Sequence, residues 1–537
     1  MGPSRRHRKL SEFTAMPRTA RIRKVLALSH LAFFVYLLSV AWVPAAERSA
    51  ALRAAFESIQ ANALQTHVDY LADDELEGRL PGTEGSRKAG EYLKQRLKAL
   101  KLEPGGPDGS YFQPFAPNYR NVLAWLEGSD PDRKQEVVIV GAHYDHVGRG
   151  CPRTSRGGIG EIHNGADDNA SGCAAVLEVA AALTLLPEPP ARSILFAFWD
   201  AEEFGFHGSI HWREQPTVPL DDVAAVVTLD MVGRLRNDEL FIFGSRTASG
   251  FRRFLAEQNR EMALRLRFPW DMRSNSDHYI FFERNLPVLL LHTGIHDDYH
   301  TPRDVASAVD SEGMQRVSRY VFRTVYEMAE RAEPFQFREP SRQESEYVRR
   351  RRMGRPPELP DRLGAGWEKQ PAAEGGMRLD RIVFDSPAHQ AGLRPGDRVL
   401  QVAGRPIQSA DDLTGALLTA ESPAEVAVGR TGEPEPLRLT IPLRGDPWRL
   451  GVTWRRDDAE PGTTVLTYVA PSTPAAHAGL ERGDRIYLAD GKEIASDEAF
   501  VALVREAEEA LELLIERDGQ LQIVTVSLKP QEFRRAA

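Results

Sequence analysis

The sequence has only two cysteines, Cys151 and Cys173, among its 537 residues. A small scaffold held together by disulfide bonds is therefore excluded. Acidic residues outnumber basic ones, and the formal net charge of −9 argues against a nucleic-acid-binding protein, because phosphate recognition needs a basic surface. Apolar residues make up 42% of the chain, which is too many for a disordered protein. A chain of this length is expected to form about three domains, each able to bury its own core.

Two common hydrolase motifs are also absent. The sequence contains no His-Glu-x-x-His helix, which excludes the single-zinc arrangement of many metalloproteases. It contains no Gly-x-Ser-x-Gly motif, so a serine nucleophile elbow is excluded as well. The two cysteines lack a convincing partner set for thiol catalysis. In an exported protein, both a Cys151–Cys173 disulfide and two separate thiols are compatible with the sequence.

The N-terminus has the opposite charge to the rest of the chain. Residues 1–46 contain eight basic residues and one acid, so the remainder carries 60 basic and 76 acidic residues, a net charge of −16. Residues 25–43 form an apolar run between a basic stretch and small residues, which is the pattern of a secretory signal. An uncleaved membrane anchor is the alternative, because about 20 apolar residues span a bilayer. We predict a signal peptide or anchor over 1–46, with Met16 as an alternative start, and an exported body that is periplasmic, secreted or membrane-anchored facing outside.

Helical patterns and apolar runs alternate between residues 47 and 335. Helices are predicted over 85–102 and 171–186, where apolar and small residues recur at helical spacing. Four nearly continuous apolar runs are typical of strands buried on both faces: 136–143, 193–200, 224–231 and 286–294. This alternation predicts an α/β domain over 47–335, with three αβα layers and a mostly parallel, mixed sheet.

The composition changes after this domain. Residues 336–362 are rich in arginine and proline and poor in apolar residues, which predicts a solvated linker. Beyond it, residues 386–404 align with 473–491 at an offset of 87, with nine identities in 19 positions. Both copies contain Ala-Gly-Leu-x-x-Gly-Asp and resemble the PDZ domain of bacterial secreted proteases. We therefore predict two small, β-rich PDZ-like domains, at 363–445 and 446–531.

The PDZ resemblance implies a peptide-binding loop in each copy. These loops begin at Leu363-Gly364 and at Leu450-Gly451. Their backbone N–H groups would receive the C-terminus of a partner protein, while the bound peptide adds a strand to the sheet edge. The loops depart from the glycine-rich form that is common in these domains. The alternative is that both copies are spacers or self-docking domains.

Histidines and acids gather where the predicted strands end. In open α/β sheets, ligands bind beyond the carboxyl ends of the strands. Two imidazoles and several carboxylates, without thiolates, suit zinc or a comparable divalent ion. One carboxylate too many for a single tetrahedral ion indicates two metals that share a bridging group. The residues at these positions are His143, Asp145, Asp168, Glu202, Glu203, Asp230 and His300.

Spacing indicates further roles for some of these residues. Asp145 lies two residues after His143, so in an extended backbone both point the same way and Asp145 can accept the second ring N–H. Glu202 and Glu203 diverge, so that one can bind a metal while the other acts as general base. The histidines expected to be structural or at the rim are His146, His163, His207, His211, His292 and His296. His278 stays an open case.

The order of motifs resembles a known family, the secreted co-catalytic dizinc exopeptidases of the bacterial leucyl-aminopeptidase type. The resemblance covers roughly residues 60–330, and its motifs are DELEGRLPGTEGSRKAGEYL, GAHYDHVG, NGADDNASG, AEEFGFHGS, LDMVGR and YHTPRD. It implies two zinc ions per chain and the hydrolysis of N-terminal residues from peptides with a free amino terminus.

The resemblance also implies a role for each site residue. His143 and Asp230 would bind one zinc, Glu203 and His300 the other, and Asp168 would bridge them. Glu202 would be the general base and acid, Asp145 the partner of His143, and Tyr299 the group that polarises the scissile carbonyl.

Two other functions fit parts of the sequence. The first is a carboxypeptidase or another amidohydrolase of the same dizinc fold, in which Arg234 or Arg246 would receive a terminal carboxylate. The second is a non-catalytic adaptor, in which the PDZ pair tethers partners and the peptidase domain is vestigial.

Overall fold

A computed structural model describes residues 45–115 and 118–529. The predicted signal or anchor run at 25–43 lies outside the described residues. The chain divides into a small unit that ends at Ala54 and a large unit that begins at Ala55. Helix α1 (Ala45–Ser58) starts in the small unit. Within the described part of the chain, no helix is both long and apolar enough to cross a membrane.

The large unit begins with a domain built on a nine-stranded sheet. Its strands are β1 (Glu103–Pro104), β2 (Phe112–Phe115), β3 (Tyr119–Leu126), β4 (Val137–His143), β5 (Ser193–Trp199), β6 (Val223–Leu229), β7 (Glu239–Phe243), β8 (Arg265–Arg267) and β9 (Val288–His292). They lie in the order β1-β3-β5-β4-β6-β9-β7-β8, with β2 paired to β3. The central strands β5, β4, β6 and β9 run parallel to one another, while β3 and β7 pair with them in the antiparallel sense.

Helices cover both faces of this sheet. They are α2 (Ala61–Leu71), α3 (Glu84–Ala99), α4 (Gly172–Thr184), α5 (His207–Glu214), α6 (Phe251–Gln258), α7 (His278–Phe282) and α8 (Ser311–Glu330). Short 3-10 turns lie at Asp74–Arg79, Pro107–Gly109, Leu220–Asp222, Ala306–Ala308 and Glu339–Gln343, and a π turn lies at Ala166–Ser171. On one face, Trp199 of β5 packs with Trp212 of α5 and Phe281 of α7. On the other face, α4 and α8 contact β4.

The pattern of burial explains why the four apolar runs form central strands. Every residue of β4, β5 and β9 is buried. Both faces of these strands are therefore covered by the protein, which explains their nearly continuous apolar sequence. Their valines and isoleucines also favour extended backbone. The predicted α/β class with a mixed sheet is confirmed.

Two six-stranded, all-antiparallel sheets follow, one in each half of the C-terminal repeat. The first contains β10 (Ala365–Trp367), β11 (Met377–Ile382), β12 (Arg398–Val402), β13 (Arg405–Pro406), β14 (Ala424–Gly429) and β15 (Leu437–Ile441), with helices α10 (Pro387–Gln390) and α11 (Ala410–Thr419). The second contains β16 (Val452–Arg456), β17 (Thr464–Val469), β18 (Arg485–Ala489), β19 (Lys492–Glu493), β20 (Ala510–Arg517) and β21 (Gln520–Ser527), with helices α12 (Pro474–His477) and α13 (Asp497–Glu506). The order of elements is the same in both, and the expected pair of β-rich domains is confirmed.

The segment 336–362 differs from the solvated linker expected there. It contains helix α9 (Glu346–Met353), and Arg338, Glu344 and Arg362 are buried. Glu344 accepts hydrogen bonds from Arg246 Nε and Nη2, both at 2.7 Å. A segment rich in charged residues is expected to be exposed when its charges lack partners. Here Glu344 of the segment pairs with Arg246 of the α/β domain, so it can be buried.

A buried ion-pair network joins the second PDZ-like domain to the α/β domain. Arg246 donates to the two oxygens of Asp457 at 2.8 and 3.1 Å, and Arg485 reaches the same carboxylate at 3.2 Å. The Trp270 ring lies under the Arg246 guanidinium, 3.7 Å from ring centre to Cζ. Burial alone would raise the pKa of Asp457, but Arg485 and Arg246 outweigh it and hold this pKa well below its usual value. Asp457 therefore stays ionised inside the interface.

Removal of this carboxylate tests the importance of the network. We expect Asp457→Ala to lower the free energy of unfolding by about 3 kcal/mol, because two buried guanidinium groups lose their shared partner. Urea denaturation of the full chain measures this change. Asp458→Ala is the matched control, since Asp458 lies next in the chain and its side chain is 65% exposed; its effect should be below about 0.5 kcal/mol. Equal effects of the two substitutions would show that the network does not stabilise the docked domain.

Candidate metal centre

The acids and histidines predicted at strand ends converge at one edge of the sheet. This follows from topology, because β4, β5, β6 and β9 are parallel and their carboxyl ends meet there. His143 is the last residue of β4, Glu202 and Glu203 follow β5, Asp230 directly follows β6, and His300 follows β9. Asp168 lies in the π turn that leads into α4. All six of these side chains are at least 90% buried.

Asp168 lies between two sets of potential ligands. Its Oδ1 is 3.2 Å from His143 Nε2, and its Oδ2 is 3.0 Å from His300 Nε2. His143 Nε2 also lies 3.5 Å from Asp230 Oδ1, and His300 Nε2 lies 3.0 Å from Glu203 Oε2. The two oxygens of one carboxylate thus face two different histidine–carboxylate pairs.

The donor atoms fit metal ions in number and chemistry. They form two groups, and within each group the donor atoms all lie within 4.8 Å of one another. One group contains His146, Asp168, Glu203 and His300, and the other contains His143, Glu202 and Asp230. Imidazole nitrogens with carboxylate oxygens are ligands that zinc accepts. Despite its short contacts, His300 Nε2 has no hydrogen-bond partner among the described residues, which leaves its lone pair for a metal ion.

His146 was expected to be structural or at the rim, and the structure places it inside this centre. It is fully buried, and its Nδ1 lies 2.7 Å from Glu203 Oε1. Its position three residues after His143, in the same motif, was the signal for a role here. A strand ends at His143, so the chain turns and returns His146 toward the neighbouring carboxylate.

Asp145 connects the ends of β4 and β5. Its Oδ1 accepts from Glu202 N at 3.0 Å and its Oδ2 from Glu203 N at 3.3 Å. The distance from Asp145 Oδ1 to His143 Nδ1 is 3.5 Å, longer than a usual hydrogen bond. In this structure Asp145 therefore positions the two glutamates more directly than it positions His143.

Glu202 has the environment of a proton acceptor. Its Oε2 lies 4.0 Å from His143 Nε2, and its side chain is almost entirely buried. Burial raises the pKa of Glu202 well above its ordinary value, and the nearby carboxylates of Asp230 and Asp277 raise it further, against the opposing effect of His143. A carboxylate of raised pKa takes up a proton more readily, as a general base must.

His300 is held by the residues around it. Its Nδ1 lies 2.6 Å from the carbonyl oxygen of Thr154, so Nδ1 carries the proton and Nε2 is free to bind a metal. The Tyr299 ring stacks on the His300 ring with centroids 3.9 Å apart. Burial raises the pKa of Tyr299, so its hydroxyl keeps its proton and can donate a hydrogen bond.

The two cysteines are separate thiols, and the disulfide alternative is wrong for this structure. Cys173 is buried beneath the metal centre, where its Sγ donates to the carbonyl oxygen of His143 at 3.1 Å. Burial raises the pKa of Cys173 to about 12, so the thiol stays neutral. Cys151 is half-buried, and its Sγ lies 3.3 Å from Thr154 Oγ1.

The remaining histidines lie outside the two ligand groups. His278 is buried, its two ring nitrogens have no hydrogen-bond partner among the described residues, and burial lowers its pKa to about 3. The others have structural contacts: His163 with Ser155 Oγ at 2.6 Å, His207 stacked on Tyr119 and His211 on Phe115, His292 with Gly294 N at 2.6 Å, and His296 with Asp167 at 3.1 Å.

Arg79, a residue that sequence reasoning missed, links the two segments that carry candidate metal ligands. Its Nε donates to the carbonyl oxygen of Tyr144 at 2.8 Å, beside His143. Its Nη2 donates to the carbonyl oxygen of Gly165 at 2.9 Å, three residues before Asp168. The side chain is buried. Its signal was the arginine in the DELEGR motif, which carries no zinc-binding group itself.

The predicted peptide-binding loop of the second PDZ-like domain borders a cavity of about 670 Å³. Gly451 has a φ of +78°, and a Cβ there would lie 2.3 Å from Thr473, so the loop requires glycine. Leu450 is buried. The cavity runs between β16 and α13 and is lined by Val452 and Val504. In the first domain, Leu363 is likewise buried and Gly364 has a φ of +75°.

These features define an α/β protein with a buried, metal-type cluster at its strand ends and two β-rich domains. Residues 121–325 match peptidase family M28, and residues 380–428 and 465–517 match the PDZ domain. The α/β domain is therefore similar to peptidase family M28 over residues 121–325, and the C-terminal repeat is similar to PDZ domains.

Parts of this chain are also similar to individual proteins. Aminopeptidase YwaD of Bacillus subtilis is 28% identical over 204 residues, which is 36% of this chain and 41% of the relative. The probable lipoprotein aminopeptidase LpqL of Mycobacterium tuberculosis is 37% identical over 115 residues, 21% of this chain and 19% of the relative. The chain thus spans less than half the length of the curated relatives it matches. A solved structure of the Legionella pneumophila LapA aminopeptidase is 21% identical with a TM-score of 0.44, covering 52% of this chain and 74% of that one.

The clamp formed by Arg79 gives a testable expectation. Arg79→Lys removes the fork that joins the Tyr144 and Gly165 carbonyl oxygens, so the ligand loops lose their relative position. We expect zinc affinity to fall by about 10-fold or more, in the range found when groups that orient metal ligands are removed. Competition with a coloured zinc chelator measures this affinity.

Two controls separate positioning from general damage. Arg149→Lys changes an arginine whose side chain is 54% exposed and should leave zinc affinity unchanged. The thermal unfolding of both metal-free variants reports on the fold itself. If Arg79→Lys bound zinc like the unaltered protein, the clamp would have no role in the metal centre.

Proposed function

We propose that this protein is an exported, zinc-dependent aminopeptidase that uses two metal ions to hydrolyse the N-terminal residues of peptides. The observation that carries this proposal is the position of Asp168, whose two oxygens face His143 and His300 separately. A single carboxylate shared by two ligand pairs is the arrangement of a two-metal hydrolytic site. The match of residues 121–325 to peptidase family M28 supports the peptidase chemistry.

The site residues have different roles in the proposed reaction. His143 and Asp230 would hold one zinc ion, Glu203 and His300 the other, and Asp168 both. When bound, two zinc ions supply Lewis acidity and lower the pKa of a bound water. Glu202 would take the proton of the attacking water and return it to the leaving amine. The Tyr299 hydroxyl would donate a hydrogen bond to the scissile carbonyl oxygen.

The charge of the centre depends on its metal content. Asp168 and Glu203 belong to one group of close donor atoms, and Glu202 and Asp230 belong to the other. Two divalent ions would balance these four carboxylates, so net charge alone does not select an α-ammonium group over a terminal carboxylate.

The carboxypeptidase alternative needs an arginine that is free to receive a carboxylate. Arg246 is already bound to Glu344 and Asp457. Arg234 donates to Asp298 Oδ2 and to the carbonyl oxygen of Ala308, both at 2.6 Å. Neither arginine suggested by the sequence is therefore available, which favours the aminopeptidase.

Export and peptide capture complete the proposal. The charge step and apolar run within residues 1–46 support a signal or anchor, and one relative is a probable lipoprotein aminopeptidase. We infer that the cavity beside Leu450-Gly451 receives protein C-terminal peptides, since it lies between a strand edge and a helix.

Paired substrates test the aminopeptidase assignment. We expect the zinc-loaded protein to release p-nitroaniline from amino-acid p-nitroanilides with a free amine. Substrates with an acetylated amine should react at least about 100-fold more slowly, because they lack the free amine by which the proposed aminopeptidase selects its substrates. Chromatography of peptide products shows from which end residues are removed. Cleavage of only the blocked substrates would refute the assignment.

Glu202→Gln tests the proposed base. The amide cannot accept the proton but has nearly the same shape, so turnover should fall by about 100-fold to 10,000-fold. Zinc content should remain unchanged, as measured by atomic absorption. Glu188→Gln, at an exposed position, is the control and should leave turnover unaltered. Near-normal activity of Glu202→Gln would place the base elsewhere.

A further inference from the structure

An arginine-lined cavity lies where the peptidase domain, the segment 336–362 and the second PDZ-like domain meet. Its volume is about 190 Å³. Trp270 of the peptidase domain and Met353 of α9 form part of its wall. Six arginines line it: Arg252, Arg349, Arg455, Arg482, Arg485 and Arg517. Three acids, Glu481, Asp484 and Asp518, line it as well.

Part of this positive charge is neutralised by ion pairs. Arg252 pairs with Glu516 at 2.8 Å, and Arg517 pairs with Asp484 at 2.7 Å. Arg485 reaches Asp457 at 3.2 Å, but it shares that carboxylate with Arg246 of the peptidase domain.

The other arginines have little compensation. Arg455 and Arg482 form no ion pair with an acid in the part of the chain that the structure describes. Arg455 Nη1 donates to the carbonyl oxygen of Arg456 at 2.9 Å, and Arg482 Nη2 donates to those of Met353 and Gly354 at 3.0 and 2.7 Å. Arg349 is exposed and pairs with the half-buried Glu346 of its own helix at 3.3 Å. The cavity thus carries a surplus of positive charge.

Two donors at the cavity have no acceptor. The Nε atoms of Arg455 and Arg485 are buried and make no hydrogen bond to any described residue. Arg485 as a whole is 5% exposed, so water is largely excluded from it. Burial lowers the pKa of Arg455. Asp457 acts in the opposite direction, but the neighbouring guanidinium groups of Arg485, Arg246 and Arg352 lower this pKa further. Buried guanidinium donors that lack an acceptor are costly, and Asp457 does not satisfy these two Nε groups.

We propose that this cavity binds a phosphate-class oxyanion, either inorganic phosphate or sulfate. Guanidinium groups match the oxygens of such anions through pairs of N–H donors. The arginines come from more than one direction, since Arg349 belongs to α9, Arg252 to the peptidase domain and Arg482 to the second PDZ-like domain. A tetrahedral dianion can accept from several directions at once, whereas a planar carboxylate offers fewer. The bound anion would tie these three parts of the chain together.

Calorimetric titration of inorganic phosphate into the full chain tests this site at constant ionic strength. One phosphate per chain is expected, with sulfate competing and acetate binding at least about tenfold more weakly. Arg455→Gln combined with Arg482→Gln should weaken phosphate binding by about tenfold or more, because two charge-assisted contacts are lost. Arg394→Gln combined with Arg438→Gln is the control, since it removes the same charge from exposed positions of the first PDZ-like domain.

A second measurement uses the unaltered chain alone. Phosphate should slow tryptic cleavage within Arg349–Arg352 at concentrations where chloride has no effect, because the anion holds α9 against both domains. If the double variant does not fold, this cleavage measurement alone tests whether the cavity binds phosphate.

Several results would overturn the proposal. If phosphate binds the double variant as tightly as the control, it does not lie in this cavity. If binding is lost when a chelator removes metals, the phosphate lies at the metal centre instead. Equal binding of acetate would show a carboxylate site, and an absence of both binding and protection would show no anion site. None of these outcomes depends on peptidase activity, so the proposed function stands or falls separately.

Discussion

The structure depends on the compensation of its buried charges by groups of opposite sign. At the strand ends, carboxylates from four segments converge in a space that excludes water, and their repulsion must be balanced by cations. The chain itself supplies only part of that balance. His143 and His300 contact Asp168 directly, while the buried guanidinium of Arg79 binds backbone carbonyl oxygens rather than a carboxylate. The remaining negative charge favours divalent metal ions at this centre.

The same constraint acts with the opposite sign between the domains. There, guanidinium groups outnumber the carboxylates that reach them, and Asp457 serves both Arg246 and Arg485. One excess of charge would be relieved by cations and the other by an anion. The sequence-wide charge of −9 averages over these two sites and describes neither, since their charges are buried in separate places.

The strands and the order of the site motifs could be predicted because both are local. Continuous apolar runs identified β4, β5, β6 and β9, and parallel strands necessarily bring their carboxyl ends to one edge. The contributions of Arg79 and His146 could not be predicted in this way. Arg79 acts on backbone carbonyl oxygens, which leave no trace in the residue types of its partners. His146 reaches Glu203 only because the chain turns after β4, and this turn depends on tertiary packing.

The docking of the second PDZ-like domain could not be predicted from the sequence for a related reason. Arg246 and Asp457 are 211 residues apart, and a polar, arginine-rich segment predicts solvent exposure until its partners are known. The two repeats therefore differ in their contacts although their sequences are similar. The first contacts the second through Asp412 and Ser472, at 3.0 Å, whereas the second is bound to the peptidase domain by buried charges. A peptide that bound between β16 and α13 would thus be attached to the domain that carries the candidate metal centre.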